Sequence, residues 1–160
     1  MTDDEQRFAY LAEGNAKQAR KRVAVDLLIR DAAGHVLIVN PTYKEAWDLP
    51  GGMAESNEPP RRAGERELAE ELGLVVTAGR ILTLDWVEPH GPWDDQLVFV
   101  FDGGTLTASQ AQALRICDPE ISQFAFATLE EAKTLLRKDI ADRLLRAHTA
   151  LLSGTTDYSE

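Results

Sequence analysis

The sequence predicts an α/β fold, one domain built on a mixed β-sheet with helices packed on its faces. Two observations carry this. Apolar, β-rich runs outnumber the helical stretches but are interrupted by them, which disfavours both a pure sandwich and a pure bundle. The chain has 160 residues, 44% apolar and 28% charged, a size and balance that bury about two thirds of the unfolded surface without disulfides or metals as staples. No internal repeat, low-complexity tract or linker marks a second domain.

From the N-terminus, Asp3 to about Arg20 reads as a polar helix with Phe8, Tyr10 and Leu11 as apolar contacts and basic residues at its C-terminal end, a helical extension over residues 1–21. Val23–Arg30 and His35–Val39 are β-rich, and Asp31-Ala-Ala-Gly34 between them suits a hairpin with positive φ at the glycine. A loop carrying Pro41, Tyr43 and Trp47 leads through a short segment, Trp47–Leu49, to a Pro50-Gly51-Gly52 turn. A helix is expected from about Pro60 to Leu72, stopped by Gly73. Strand-like runs return at Leu74–Thr77, Ile81–Val87, Gln96–Phe101 and Ser122–Phe126. Thr128 and Glu131 then form a capping box, and Ile140, Leu144, Leu145, His148, Leu151 and Leu152 recur at helix spacing. Residues 22–152 are the expected domain and 153–160 a loose tail.

A net charge of −10 repels nucleic acid and other polyanions, so an anionic ligand needs a local remedy. The one basic cluster, Lys17, Arg20, Lys21 and Arg22, reads as a solvated helix end. The longest apolar runs are too short to cross a bilayer, and MTDDEQRFAY lacks the pattern of a secretory signal, so a cytoplasmic location is expected. A single cysteine, Cys117, excludes an internal disulfide and is read as a small core residue.

The chemistry concentrates in GGMAESNEPPRRAGERELAEELGL, residues 51–74. At about 100° per residue, Glu67, Glu70 and Glu71 share one helix face with Ala63 and Gly64, while Leu68, Ala69 and Leu72 form an apolar side and Glu65 lies away from the acidic face. Glutamates at i, i+3 and i+4 repel by a few tenths of a kcal/mol per pair on an exposed helix, and by more where water is scarce. A hard divalent cation removes that conflict, because carboxylate oxygens can surround it and leave positions for water and phosphate. The competing reading is a solvated charged helix in which Arg66 and Glu70 form an i, i+4 pair.

The fixed positions Gly52, Glu58, Arg66, Glu67, Leu68, Glu70, Glu71, Gly73 and Leu74 decide between these readings. Together they match the Nudix box, for which average residue usage gives a chance match on the order of 10⁻⁷. The chain therefore resembles the Nudix hydrolase family. The resemblance implies an α/β/α sandwich over about Arg22–Leu152 and Mg²⁺-dependent, or Mn²⁺-dependent, hydrolysis of a nucleoside diphosphate linked to another moiety. By position it implies Glu67, Glu70 and Glu71 as metal ligands, one of them deprotonating the attacking water, with the Gly52 carbonyl as a further ligand and Arg66 with Glu58 as an orienting pair. Family members often place another acid beyond the box, and Glu120 is the expected one here. Asn57 stands where the family commonly has glycine, and asparagine tolerates a left-handed backbone. Pro59-Pro60 replaces a side-chain cap at about 1 kcal/mol.

Trp93, Tyr43 and Trp47 are the expected substrate contacts, with Trp93 foremost because it sits in the polar loop His90-Gly-Pro-Trp-Asp-Asp. Trp86, in a strand, reads as core. Pro89, fifteen residues beyond Leu74, is similar in placement to the subgroup acting on ADP-ribose. The short N-terminal portion argues against that subgroup. An ADP-ribose-like or nucleotide-sugar substrate is favoured, with an oxidised nucleoside triphosphate as the alternative and a non-catalytic ligand-binding module as the third reading. The expected partner is a small nucleotide, with no membrane and no stable nucleic-acid complex, and homodimer formation is left open.

Overall fold

The computed structural model describes residues 1–160. Helix α1 (Asp3–Ala16) opens with a complete Thr2–Glu5 capping box and buries no residue; Phe8, Tyr10 and Leu11 all face solvent. The expected apolar contacts of this helix are therefore not made within the chain.

The strands are β1 (Arg22–Arg30), β2 (Val36–Pro41), β3 (Gly51–Met53), β4 (Ile81–Val87), β5 (Gln96–Thr105), β6 (Ile121–Ala127) and β7 (Asp157–Ser159). They form one seven-stranded mixed sheet in the order β6-β2-β1-β5-β4-β7, with β3 paired to β1 off this path. Strands β1 and β5 run parallel in the centre, from Arg22↔Gln96 to Arg30↔Thr105. The β1–β2 hairpin forms as expected but pairs only at Arg30↔Val36, because the chain before and within β3 fills the gap, with Asp48 bridging Val39 of β2 and β3 taking Ala24–Asp26 of β1.

Both faces of the sheet are covered, which explains why β1 reads as a nearly unbroken apolar run. Val25, Leu27 and Ile29 point into a core shared with Ala63, Leu68 and Leu72 of α2 (Pro60–Leu72). Leu28, Val100 and Leu82 point the other way, against Ala132 of α4 (Leu129–Leu135) and Ile140, Leu144 and Ala147 of α5 (Lys138–Ser153). Helix α2 seats closely on β1 because position 64 has no side chain: a Cβ there would lie 2.9 Å from Val25 Cγ1. Gly73, at φ 64°, ends α2 in the left-handed conformation, as expected.

Four sequence expectations are corrected. Leu74–Thr77 is irregular rather than a strand; the chain is pinned next to it, where Ala78 N–H donates to Glu65 Oε1 (2.9 Å). Glu65 is thus a staple between α2 and its exit loop, not a spectator. A short helix, α3 (Ala108–Ala113), stands where no element was expected, although Thr107 and Gln110 form a capping box visible in the sequence. Cys117 is exposed, because its loop lies over the end of α2 instead of under it. The C-terminal segment is docked: β7 adds in parallel to β4, Arg146 Nη1 bonds Asp157 Oδ2 (2.6 Å) and Thr156 Oγ1 bonds the Ile81 carbonyl (2.8 Å).

These contrasts predict opposite outcomes at the two ends. Removing residues 1–16 should leave the melting temperature within about 1 °C, since no buried contact is lost. Removing residues 155–160 should cost about 1–2 kcal/mol in hydrogen bonds and ion pairing, a drop of about 2–8 °C. Differential scanning calorimetry of the two truncations checks both.

Candidate active site

The loop Ala54–Pro59 between β3 and α2 folds back so that Glu55 N–H donates to Glu58 Oε2 (2.8 Å), helped by Asn57 at φ 61°, the one non-glycine residue with positive φ. Glu58 then meets Arg66 in a two-pronged pair, Nε to Oε1 at 2.8 Å and Nη2 to Oε2 at 3.0 Å. Nη2 also donates to the Met53 carbonyl (3.1 Å), and Nη1 to Glu67 Oε1 (3.0 Å) and Glu70 Oε2 (3.1 Å). All five guanidinium N–H donors are matched. The Arg66 guanidinium and a backbone N–H hold Glu58 down at about 2, and its carboxylates raise Arg66 further.

Glu67 lies against β3. A Cβ on Gly52 would come within 2.7 Å of Glu67 Cγ and Oε1, so only glycine lets the strand and the carboxylate approach this closely. Glu70 is exposed, whereas Glu71 is 8% exposed and turned toward the sheet with Leu68 and Leu72. The acidic stripe thus runs from solvent into the core instead of facing outward as one surface, and Ala69, expected on the apolar side, is exposed.

Glu71 carries the strongest signal of the site. Its Oε2 is buried without a hydrogen-bond partner. Burial first, then the charges of Glu67, Asp118, Glu120 and Asp48, push its carboxyl up to about 8. Burial also raises Glu67, with Glu70 and Glu120 adding to it against the pull of Arg66. Glu120 reaches the cluster because the end of α2 captures its loop: Arg115 N–H donates to the Leu72 carbonyl (3.3 Å) and Cys117 N–H to the Glu71 carbonyl (2.8 Å). Asp118 arrives with it, and Asp48 comes from the loop before β3, where it bridges to Val39; the sequence alone did not single out either. Asp118 was visible in the same Asp-Pro-Glu stretch.

No three acidic, His or Cys side chains converge into a closed metal cage, because Arg66 draws Glu67 and Glu70 toward itself. The donor set nevertheless fits a hard divalent cation: several carboxylates, a close-lying glycine strand and one buried oxygen with no partner.

On the opposite face of the sheet, against α5, lies a cavity of about 660 Å³ lined in part by Gly51, Gly52 and Met53. Trp93 lines it, 55% exposed, held by reciprocal backbone bonds with His90 (3.0 and 2.9 Å). Arg22 lies over its ring, with Cζ 4.8 Å from the centroid. Tyr43 also lines the cavity; partial burial and then the charges of Asp48, Glu120, Glu71 and Glu67 raise its hydroxyl, so it stands between cavity and acidic cluster. Trp47 does not join them: it packs on the α4–α5 core, and its backbone N–H donates to the Leu135 carbonyl (3.1 Å). Trp86 is half-buried and donates Nε1–H to Asp95 Oδ2 (2.7 Å). The remedy for negative charge is more than a helix end, since Arg22, Arg137 and Arg143 all border the cavity.

A sandwich in which one helix lays such an acidic stripe against a glycine strand defines a NUDIX-type domain. The NUDIX domain model matches residues 20–148, and the chain belongs to that family. An RNA pyrophosphohydrolase of Hydrogenovibrio crunogenus is 37% identical over 68 residues, 41% of this chain and 41% of that protein, so the match spans less than half of the relative's length. The CTP pyrophosphohydrolase of Escherichia coli is 31% identical over 110 residues, 62% of this chain and 78% of that protein. The fold is shared with a MutT protein from Methanosarcina mazei (TM-score 0.69, 24% identity, 82% of this chain and 97% of that one) and with a UDP-X diphosphatase (TM-score 0.70, 19% identity, 100% and 76%). No helix is long and apolar enough to cross a membrane.

The sign of the pH dependence follows from Glu71. Its folded value of about 8 lies above the ordinary 4.5, so the folded chain holds the proton more tightly than the unfolded chain. Stability is full below about 4.5 and is lost as pH rises toward about 8. Asp26, raised from 3.8 to about 7 chiefly by burial, acts in the same direction. In EDTA the melting temperature should fall from pH 5 to pH 8, Glu71→Gln should flatten much of the fall, and Mg²⁺ should raise the wild-type value more at pH 8 than at pH 5. Thermal melts across this range check all three.

Proposed function

We propose that this domain is a divalent-metal-dependent hydrolase that cleaves the diphosphate linkage of a nucleoside diphosphate derivative, with Mg²⁺ as the ion and Mn²⁺ as a substitute. The partnerless, buried Glu71 Oε2 beside Gly52 carries the reading. Glu71, Glu67, Glu70 and the Gly52 carbonyl are the residues that would hold the cation. When bound, it supplies charge neutralisation on phosphate oxygens and acidifies water.

The chain's own groups do the rest. Arg66 keeps Glu67 and Glu70 from repelling each other and ties them to Glu58 and Met53. Glu71, which without a cation holds its proton to about 8, would give that proton up on metal binding, and one of the glutamates then accepts a proton from the attacking water, while Glu120 adds negative charge that stabilises the loaded site. The cavity takes the nucleoside half, with Trp93 and Tyr43 at its border. Relatives named as RNA and CTP pyrophosphohydrolases, and structures of a UDP-X diphosphatase and an ADP-ribose pyrophosphatase, agree with a diphosphate linkage as the common target. Small-molecule nucleotides with a second moiety, of the nucleotide-sugar or ADP-ribose kind, suit the open, partly aromatic cavity.

The testing experiment is a panel of nucleotide sugars, dinucleotides and nucleoside triphosphates with Mg²⁺, scored by phosphate released after phosphatase treatment. Glu70→Gln and Glu71→Gln should each lower kcat at least about 100-fold on the best substrate, because the amide keeps shape but loses anionic ligation. Glu130→Gln, on an exposed turn of α4, is the control and should change nothing. Full activity in both site variants rejects the assignment. Trp93→Ala should raise KM at least about fivefold with little change in kcat; an unchanged KM discards its contact role.

A further inference from the structure

We propose that Arg143 and Asp26 are a specificity-determining pair that selects a nucleobase carrying a ring carbonyl beside a ring N–H, the guanine- or uracil-type edge, over the amino-bearing edges of adenine and cytosine. The proposal rests on the reading of the cavity as the nucleoside site and names the base class it takes.

Arg143 lies on the buried stripe of α5 with Ile140, Leu144 and Ala147, and is 7% exposed. Its Nε donates to Asp85 Oδ2 at 2.8 Å. The same oxygen accepts from Arg146 Nη2 (2.6 Å), and Arg146 Nη1 bonds Asp157 Oδ2 (2.6 Å). A chain of ion pairs from the C-terminal strand therefore fixes one side of the guanidinium. Its two Nη groups, four donors, have no protein partner, and the residue lines the cavity. The guanidinium stem is buried while its free donors open on the cavity, and a helix that needed only packing would carry an apolar residue here.

Asp26 faces the same cavity from β1, on the sheet face of Ala24 and Leu28, and its carboxyl likewise makes no hydrogen bond. Arg143 donors and the Asp26 carboxyl thus line one cavity, close enough for the Arg143 charge to act on Asp26 but with no hydrogen bond between them. A neutral base edge with C=O next to N–H completes both, the carbonyl to Arg143 and the N–H to Asp26. Adenine and cytosine would turn an amino donor toward the Arg143 donors and leave both desolvated and unpaired. A phosphate at Arg143 is disfavoured, because Asp26, which already feels the charges of Asp48 and Asp85 against those of Arg143 and Lys44, faces the same cavity and would meet the anion with a carboxyl.

The test is equilibrium calorimetry of ADP-, GDP-, UDP- and CDP-glucose in EDTA, where no hydrolysis interferes. GDP- or UDP-glucose should bind at least about tenfold more tightly than ADP- and CDP-glucose. Arg143→Lys, which keeps a charge for Asp85 but loses the fork, and Asp26→Asn should each narrow the preference to about threefold or less, with thermal melts confirming the fold. Should one variant fail to fold, the other and the wild-type ranking decide. Tightest binding of ADP- or CDP-glucose, equal binding of all four, binding of none, or a preference kept in the folded variants overturns the proposal. If the ranking holds but no substrate is hydrolysed with Mg²⁺, the hydrolase reading fails and the base-reading pair stands.

Discussion

Arg66 is the contact on which the geometry of the acidic helix depends. A helix with glutamates at positions 67, 70 and 71 stores repulsion, and burying the third of them adds a desolvation cost. One planar guanidinium reconciles this with folding by bonding Glu67 and Glu70 on one nitrogen and Glu58 and the Met53 carbonyl on the others. The loop, the glycine strand and the helix are thereby fixed in one arrangement, for which lysine, with no planar fork, would not substitute. Glu71 lies outside that network, and the charge conflict left over after folding is concentrated on its carboxyl.

Strand β3 stands between the two functional halves. On one side Gly52 admits the Glu67 side chain at close range; on the other the same short strand borders the cavity beneath α5. A ligand with a nucleoside at one end and a diphosphate at the other can reach both across this thin partition. The charges differ between the two halves, mixed at the cavity and acidic at the helix. A chain of net charge −10 lines the cavity with Arg22, Lys44, Arg137 and Arg143 as well as Asp26, Asp48, Glu88 and Asp139, while the helix presents glutamates where a cation can reverse the local sign.

Much of this was legible in the sequence because it depends on local rules. The extent of α2, its proline start, its glycine stop and the left-handed Asn57 follow from residue chemistry and match the structure. Glu120 could be placed near the glutamates by resemblance alone. What escaped needs tertiary knowledge. The burial of Glu71 depends on how α2 rolls onto β1 through Gly64, which helical angles do not fix. Trp47 was misplaced among the substrate contacts because an aromatic residue in a loop packs as readily on a core as on a ligand. Arg143 and Asp26 did leave signals, a charge on the apolar stripe of α5 and an acid inside the run Val-Ala-Val-Asp-Leu-Leu-Ile. Both look like breaks in a pattern until the cavity joins them. The docked tail was missed because three residues of edge pairing have no periodicity to detect.

The central claim is that the partnerless oxygen of Glu71 and the Gly52 strand belong to a cation site. Crystals grown with Mn²⁺ and measured at the manganese absorption edge test it most directly. An anomalous peak should lie at the Glu71 carboxylate and the Gly52 carbonyl and be absent in Glu71→Gln crystals grown under the same conditions. A peak elsewhere on the molecule, or none at saturating Mn²⁺, would contradict it.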